Sequence, residues 1–358
     1  MNNAGVLTFI NTINYGAELQ ALALVRTLNR FKCETDLINY NSSSICAKET
    51  PKFPSLSEII HPGDFAFRFY KYLILERRAK TFRSYTEKNI NLGSSVRNAQ
   101  DILSKYQNIV VGSDQVWCPK ITDNDETFLV PGNRLSGQKV ISYAASFGDS
   151  SLPADLRQEF SENLSRFDAL SVREKSGLNT LAELGLCNGV VSLDPTLLLT
   201  ASEWTKYAER ARRPDRYVFV YTVSESKKTI AFAKHAAKEL GAKLLYIKCY
   251  GGSPIIGAKN LSASSPGEFL DLIMHAELVV TSSFHGLCFS ILFNRPFRYV
   301  LSADKDKSRL YNLVSELGLE WYGVENGDLS DHVDFTEANR RLLVMRKESL
   351  AYLRDSLA

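Results

Sequence analysis

Apolar, β-rich runs alternate with runs of helical period almost from end to end of the chain, the pattern that builds parallel sheets through βαβ crossovers. In the first half it predicts strands over residues 6–10, 35–39, 108–111, 139–143, 170–172 and 190–193. Between the first two, Leu19, Leu22, Ala23, Val25 and Leu28 recur on one helical face and predict a helix over 17–30. A second rhythm predicts strands over 217–221, 243–248, 278–281 and 297–300, with helices over 225–240, 266–275, 285–294, 307–317 and 337–356. The interval 40–95 breaks the first rhythm. It opens as a Ser/Asn/Pro-rich loop and continues as a basic aromatic segment carrying Arg68, Lys71, Arg77, Arg78, Lys80 and Arg83. The charged stretch 203–216 separates the two rhythms. The expected fold is therefore α/β, with two Rossmann-like domains facing a cleft, residues 1–202 and 203–358, and segment 41–95 inserted into the first.

Length agrees with that division, because 358 residues exceed one ordinary core and suit two domains of roughly 150–200 residues. A chain that is 44% hydrophobic and 11% aromatic buries real cores, which excludes a disordered or fibrous protein. Its 43 Lys+Arg against 40 Asp+Glu leave a formal charge of +3, too small for a chain built to coat nucleic acid. The two longest stretches without a charged residue, 1–17 and 278–294, are broken by polar side chains and predict no membrane span. Met1-Asn2-Asn3 offers no basic leader, so a cytoplasmic protein is expected. Cys33, Cys46, Cys118, Cys187, Cys249 and Cys288 are scattered without a C-x-x-C pair, which argues against a zinc site and predicts reduced thiols. No metal is expected.

Ligands of such folds bind where loops leave the carboxyl edges of the strands. After the first strand, Asn14, Tyr15 and Gly16 form a polar turn opening a helix, where free N–H groups favour an anion; a plain strand–turn–helix connection explains these residues as well. After the third, Ser113, Asp114, Gln115 and Trp117 combine hydroxyl, carboxylate, carboxamide and indole, a set suited to gripping a sugar, with an Asx-turn as the structural alternative. Arg173 stands at a strand end and can fork onto a phosphate or carboxylate, or pair with Glu174 for structure alone. Asp194-Pro195-Thr196 reads as an Asp-Pro turn. The sharpest feature is Ser282-Ser283-Phe284-His285-Gly286, in which two capping hydroxyls and a histidine surround a helix N-terminus; a bound anion there would tend to keep the imidazole protonated. Lys305, Lys307 and Arg309 follow as a cationic cluster.

Taken in order, Asn14-Tyr15-Gly16-Ala17-x-Leu19-Gln20, Gly112-Ser113-Asp114-Gln115-Val116-Trp117, Ser171-Val172-Arg173-Glu174, Asp194-Pro195-Thr196-Leu197-Leu198, Ser283-Phe284-His285-Gly286 and Asn294-Arg295-Pro296-Phe297 resemble the polysaccharide pyruvyl transferase family over about residues 5–320. The resemblance implies a GT-B-like fold and transfer of a pyruvyl group from phosphoenolpyruvate to two hydroxyls of a sugar, giving a cyclic ketal, with no cofactor beyond that donor. It implies His285 as general acid. It also implies donor contacts from Arg173, Ser282, Ser283, Phe284, Gly286, Lys305 and Lys307, and acceptor contacts from Asn14, Tyr15, Gly16, Ser113, Asp114, Gln115 and Trp117. Some members carry an arginine where this chain has Ser283. The same architecture also suits a nucleotide-sugar glycosyltransferase, and a non-catalytic glycan-binding subunit is the alternative from another class. The acceptor implied is a sugar, including one on a lipid-linked oligosaccharide. The basic aromatic segment then has two readings, peripheral contact with an anionic membrane at its inner face or an inserted helix packed on the first domain.

Overall fold

A computed structural model describes residues 3–55, 62–148, 151–223, 227–249, 253–301, 307–325, 329 and 332–358. In the first domain β1 (Asn3–Leu7), β2 (Glu34–Leu37), β3 (Asn108–Val111) and β4 (Lys139–Ser142) form a parallel sheet in the order β2-β1-β3-β4. Single bridges at Ile141–Ala169 and Ala145–Val172 continue it to the short pair β5 (Ser171–Val172) and β6 (Val190–Val191). The second sheet contains β7 (Tyr217–Thr222), β8 (Lys243–Lys248), β9 (Lys259–Asn260), β10 (Leu278–Thr281) and β11 (Phe297–Tyr299), in the order β11-β10-β7-β8-β9. All its pairings are parallel among the described residues. Strands β3, β7 and β10 are buried along their whole length, as expected of parallel strands covered on both faces. The expected arrangement of two parallel α/β domains facing a cleft, GT-B-like, is what the topology forms.

Six helices place the site. They are α1 (Tyr15–Asn29), α2 (Pro62–Asn89), α3 (Pro266–Met274), α4 (Phe284–Leu292), α5 (Lys307–Leu317) and α6 (Thr336–Leu357). Helix α1 was expected to bury one face, yet every residue from Tyr15 to Val25 is buried. The reason is its position between the domains, against β2 on one side and α2, α3 and α4 on the other. One apolar core consequently runs from Val6 and Leu22 through Tyr15 to Tyr221, Phe269 and Phe289. The terminal helix α6, expected within the second domain, reaches back onto the first. Tyr352 donates to the Ser142 carbonyl at 2.9 Å, and Ser349 accepts from the Leu193 amide at 3.0 Å.

The basic aromatic segment is largely α2, and its two halves differ. The N-terminal half exposes Phe67, Tyr70 and Leu73 beside Phe53, which is 61% exposed. The C-terminal half buries Arg78, Phe82 and Tyr85. Arg78 lies over the Tyr15 ring at 5.3 Å and donates to the carbonyls of Ile13 in the first domain and of Lys248, Cys249 and Ser262 in the second. Such a guanidinium is an interdomain clamp and is not available to a membrane surface.

Candidate functional site

Five loops from carboxyl strand ends meet at the domain junction, from β1, β3, β5, β6 and β10. Ser283 caps α4 by accepting from the Gly286 amide, which sets His285 in the first helical turn. His285 is 8% exposed. One edge lies on α1: a methyl group on Gly16 would fall 1.9 Å from His285 Nδ1, so only glycine fits there. On the other side Nε2 stands 3.5 Å from Asp194 Oδ2, ion-pair distance rather than a formed hydrogen bond. Phe284 meets the imidazole edge-on, with centroids 5.3 Å apart.

Asp194 is the most connected group of the junction. Its Oδ1 accepts from the Thr196 amide at 3.0 Å and the Thr196 hydroxyl at 2.7 Å, while Oδ2 accepts from Arg173 Nη1 and Ser113 Oγ, each at 3.3 Å. Burial works to raise its pKa, but the charge of His285, Arg173 and the Thr196 bonds outweigh that and hold the carboxyl well below the usual range. Arg173 is in turn surrounded by carboxylates: Asp194, Asp114 at 3.6 Å and Glu174 at 3.5 Å, with the Phe284 ring 5.1 Å below the guanidinium. Burial disfavours its charge, but the three carboxylates prevail and raise its pKa. Arg173 Nη2 and His285 Nε2 are buried without a hydrogen-bond partner among the described residues.

A cavity opens on either side of this cluster. One, of about 350 Å³, includes Thr12, Asn14, Asp114, Gln115, Lys48 and Glu49 in its lining. The other, of about 220 Å³, includes Arg173, Asp194, Phe284, Lys175, Arg309 and Asn312. Arg173 spans the partition, since it pairs with Asp114 on one wall and Asp194 on the other. Among the described residues no group of three or more His, Cys, Asp or Glu could hold a metal ion.

A model of the polysaccharide pyruvyl transferase family matches residues 14–304. The chain belongs to that family. It is thus a transferase, and the match spans both domains. Solved structures similar to it are distant. An uncharacterised protein from Klebsiella pneumoniae is 11% identical over 87% of each chain, with a TM-score of 0.43. The UDP-GlcNAc 2-epimerase of Methanocaldococcus jannaschii is 13% identical over 97% of this chain and 92% of its own, with a TM-score of 0.46. A spinosyn forosaminyltransferase is 10% identical over 98% and 94%, with a TM-score of 0.44. No curated protein matches the chain.

In this pyruvyl transferase Asn14, Asp114 and Gln115 line the larger cavity, and Arg173 and Phe284 the smaller. Four residues expected on the acceptor lie elsewhere. Trp117 is 1% exposed, donates its indole N–H to the Phe128 carbonyl at 3.1 Å and packs on Phe147 and Phe167, so its ring is core rather than a plate for a sugar. Tyr15 is buried between the domains, stacked on Phe269 and bonded to the Ser264 carbonyl at 2.8 Å. Ser113 is buried and spends its hydroxyl on the Ala144 carbonyl and Asp194. Gly16 meets His285 instead of facing a cavity.

On the donor side, Ser282 accepts from the Val223 amide, Ser283 is a cap, and Gly286 is packed on Thr281 and Tyr221. These three shape the loop rather than line either cavity. Lys307 begins α5, its side chain outside the described residues, and Lys305 lies outside them altogether. Asp194 and Lys175 were not expected in the site, nor Arg309 beyond its place in the cationic cluster. For Asp194 the signal was the Asp-Pro-Thr sequence after a strand, which as a turn alone does not announce a charge partner.

Proposed function

We propose that this protein moves a pyruvyl group from phosphoenolpyruvate to two hydroxyls of a sugar, forming a cyclic ketal during capsule, exopolysaccharide or cell-surface glycan synthesis on the cytoplasmic side. Family membership supports the pyruvyl transfer. The observation that supports the mechanism is the docking of His285 between Gly16 and Asp194, beside the Asp194 and Phe284 side chains that line the smaller cavity. In the reaction His285 gives its proton to the methylene carbon of the enol, leaving an oxocarbenium-like centre. One sugar hydroxyl adds to that centre and returns its proton to the imidazole. The carbon–oxygen bond to the phosphate then breaks, the second hydroxyl closes the ring, and its proton leaves with phosphate. Asp114 and Gln115 orient the diol in the larger cavity, a gain of proximity worth up to roughly 7 kcal/mol. The donor occupies the smaller cavity, where Arg309, Lys175 and Arg173 Nη2 face its anionic groups.

The test is incubation with phosphoenolpyruvate and candidate acceptors. Phosphate release together with a mass gain of one pyruvyl unit less water is expected, and His285→Ala loses nearly all turnover while its thermal midpoint holds. Release of a nucleoside diphosphate from a nucleotide sugar, with no use of phosphoenolpyruvate, refutes the reading. Sugar binding that is indifferent to loss of His285 refutes it too.

A further inference from the structure

The geometry points to Asp194 as the positioning residue of this site: one buried carboxylate that fixes the His285 imidazole, the Arg173 fork and the Ser113 loop relative to one another. These three groups come from different elements, α4 of the second domain and the loops after β5 and β3 of the first. Nothing else named in the junction touches all three. Asp194 contacts His285 Nε2 at 3.5 Å and Arg173 Nη1 and Ser113 Oγ at 3.3 Å each, with no exposed side-chain surface. Thr196 anchors the opposite oxygen through two bonds, so the carboxylate cannot rotate away without losing both.

The position has a chemical consequence that rests on the pyruvyl transfer proposed above. A proton donor aimed at carbon needs its ring held in one orientation, and an ionised carboxylate beside Nε2 supplies that constraint. It acts on the reaction through His285 and Arg173, the two side chains it holds. Among the described residues the other charged or titratable groups around the imidazole are few. Arg173, Asp114 and Glu174 lie beyond Asp194, Tyr221 packs on the turn of α4 at Gly286, and Cys288 lies on α4 itself with its thiol pushed well up by burial. Asp194 is the carboxylate in direct reach.

Asp194→Asn keeps the size and one acceptor oxygen but removes the charge. The expected result is a fall in kcat on the order of 100-fold, with KM for phosphoenolpyruvate changed less than about 3-fold, since Arg173 keeps Asp114 and Glu174. The His285 imidazole, followed by NMR in the free protein, then loses its proton at lower pH than in the wild type, and the alkaline limb of kcat moves with it. A kcat within about 3-fold of wild type, or an unmoved imidazole titration in a folded variant, overturns the assignment. If Asp194→Asn does not fold, Thr196→Val carries the test. Loss of one anchoring bond is expected to lower kcat about 5-fold at constant KM, and an unchanged kcat overturns the assignment. Absence of pyruvyl transfer by the wild type refutes the proposed function separately, because the imidazole titration needs no turnover.

Discussion

Replacement of Gly16 by alanine tests the docking of the two domains at its closest point. The new methyl group would stand 1.9 Å from His285 Nδ1 and 2.4 Å from Cε1, where ordinary contact begins at 3.4 Å. The imidazole must therefore retreat by about 1.5 Å, yet Asp194 and Phe284 already occupy its other sides. The stability change is small because two effects oppose. Alanine in a helix gains about 0.8–1 kcal/mol over glycine, and overpacking costs about 1–3 kcal/mol. The net expectation is a loss of roughly 0–2 kcal/mol. Activity responds far more, since displacement of a reacting group by about 1 Å costs on the order of 100-fold. Urea unfolding and phosphate release from phosphoenolpyruvate give the two readouts. A double-mutant cycle isolates the contact: in a His285→Ala background the clash is gone and Gly16→Ala becomes neutral or stabilising. A single variant with wild-type turnover, or a stability cost that persists when His285 is absent, refutes the argument.

Arg78→Met leaves four backbone carbonyls of two domains without their donor, so urea unfolding is expected to show a loss of about 3 kcal/mol or more; a loss below about 1 kcal/mol contradicts the clamp. Burial raises the Glu18 carboxyl from 4.5 to about 7, against the lowering effect of the Thr86 hydroxyl. The folded protein then holds a proton that the unfolded chain has released, stability falls as pH rises through that window by about 3 kcal/mol, and Glu18→Gln flattens the dependence; an identical pH profile in both proteins rejects it. For membrane contact by the exposed half of α2, vesicles with anionic lipid are expected to float the wild type at low salt and to release it at high salt. Arg68→Glu/Arg77→Glu, which spares the buried Arg78, abolishes flotation, and absence of wild-type binding at every salt rejects the contact.

Strands were the most legible part of the chain. The runs at 108–111, 243–248 and 278–281 coincide with β3, β8 and β10 because apolar β-rich segments bounded by polar turns have few alternatives. Residues 259–260 gave no such signal, and β9 forms there through two pairings to β8. The pattern also could not show which helices are shared. Helix α1 is buried all round since a second domain covers its solvent face, and α6 leaves its own domain to lie on β4, facts set by tertiary packing rather than by local period. For the site, the loops were legible and several roles were not. Polar residues after a strand mark a carboxyl edge, but sequence does not separate Asp114, which faces a cavity, from Ser113 and Trp117, which turn inward one and three residues away. Asp194 was hidden for the opposite reason: its partners come from positions 113, 173 and 285, and no local window contains them.

The charge balance of the junction also separates binding from chemistry. Asp114, Glu174 and Asp194 surround Arg173, so this guanidinium alone is a weak anchor for a donor that carries several negative charges. An anion brought against three buried carboxylates would be repelled unless cations stood on its far side. Arg309 and Lys175 do line the far wall of the smaller cavity, and Lys175 is itself tempered by Glu316 at 3.3 Å. In the transfer proposed above, these two cations would hold the donor's phosphate. In that proposed pose the same carboxylates that repel the phosphate would stabilise the positive centre formed when the methylene carbon is protonated. A negative cluster behind a cationic rim is complementary to the oxocarbenium-like state and not to the bound donor, which is the condition for lowering a barrier rather than merely tightening substrate binding.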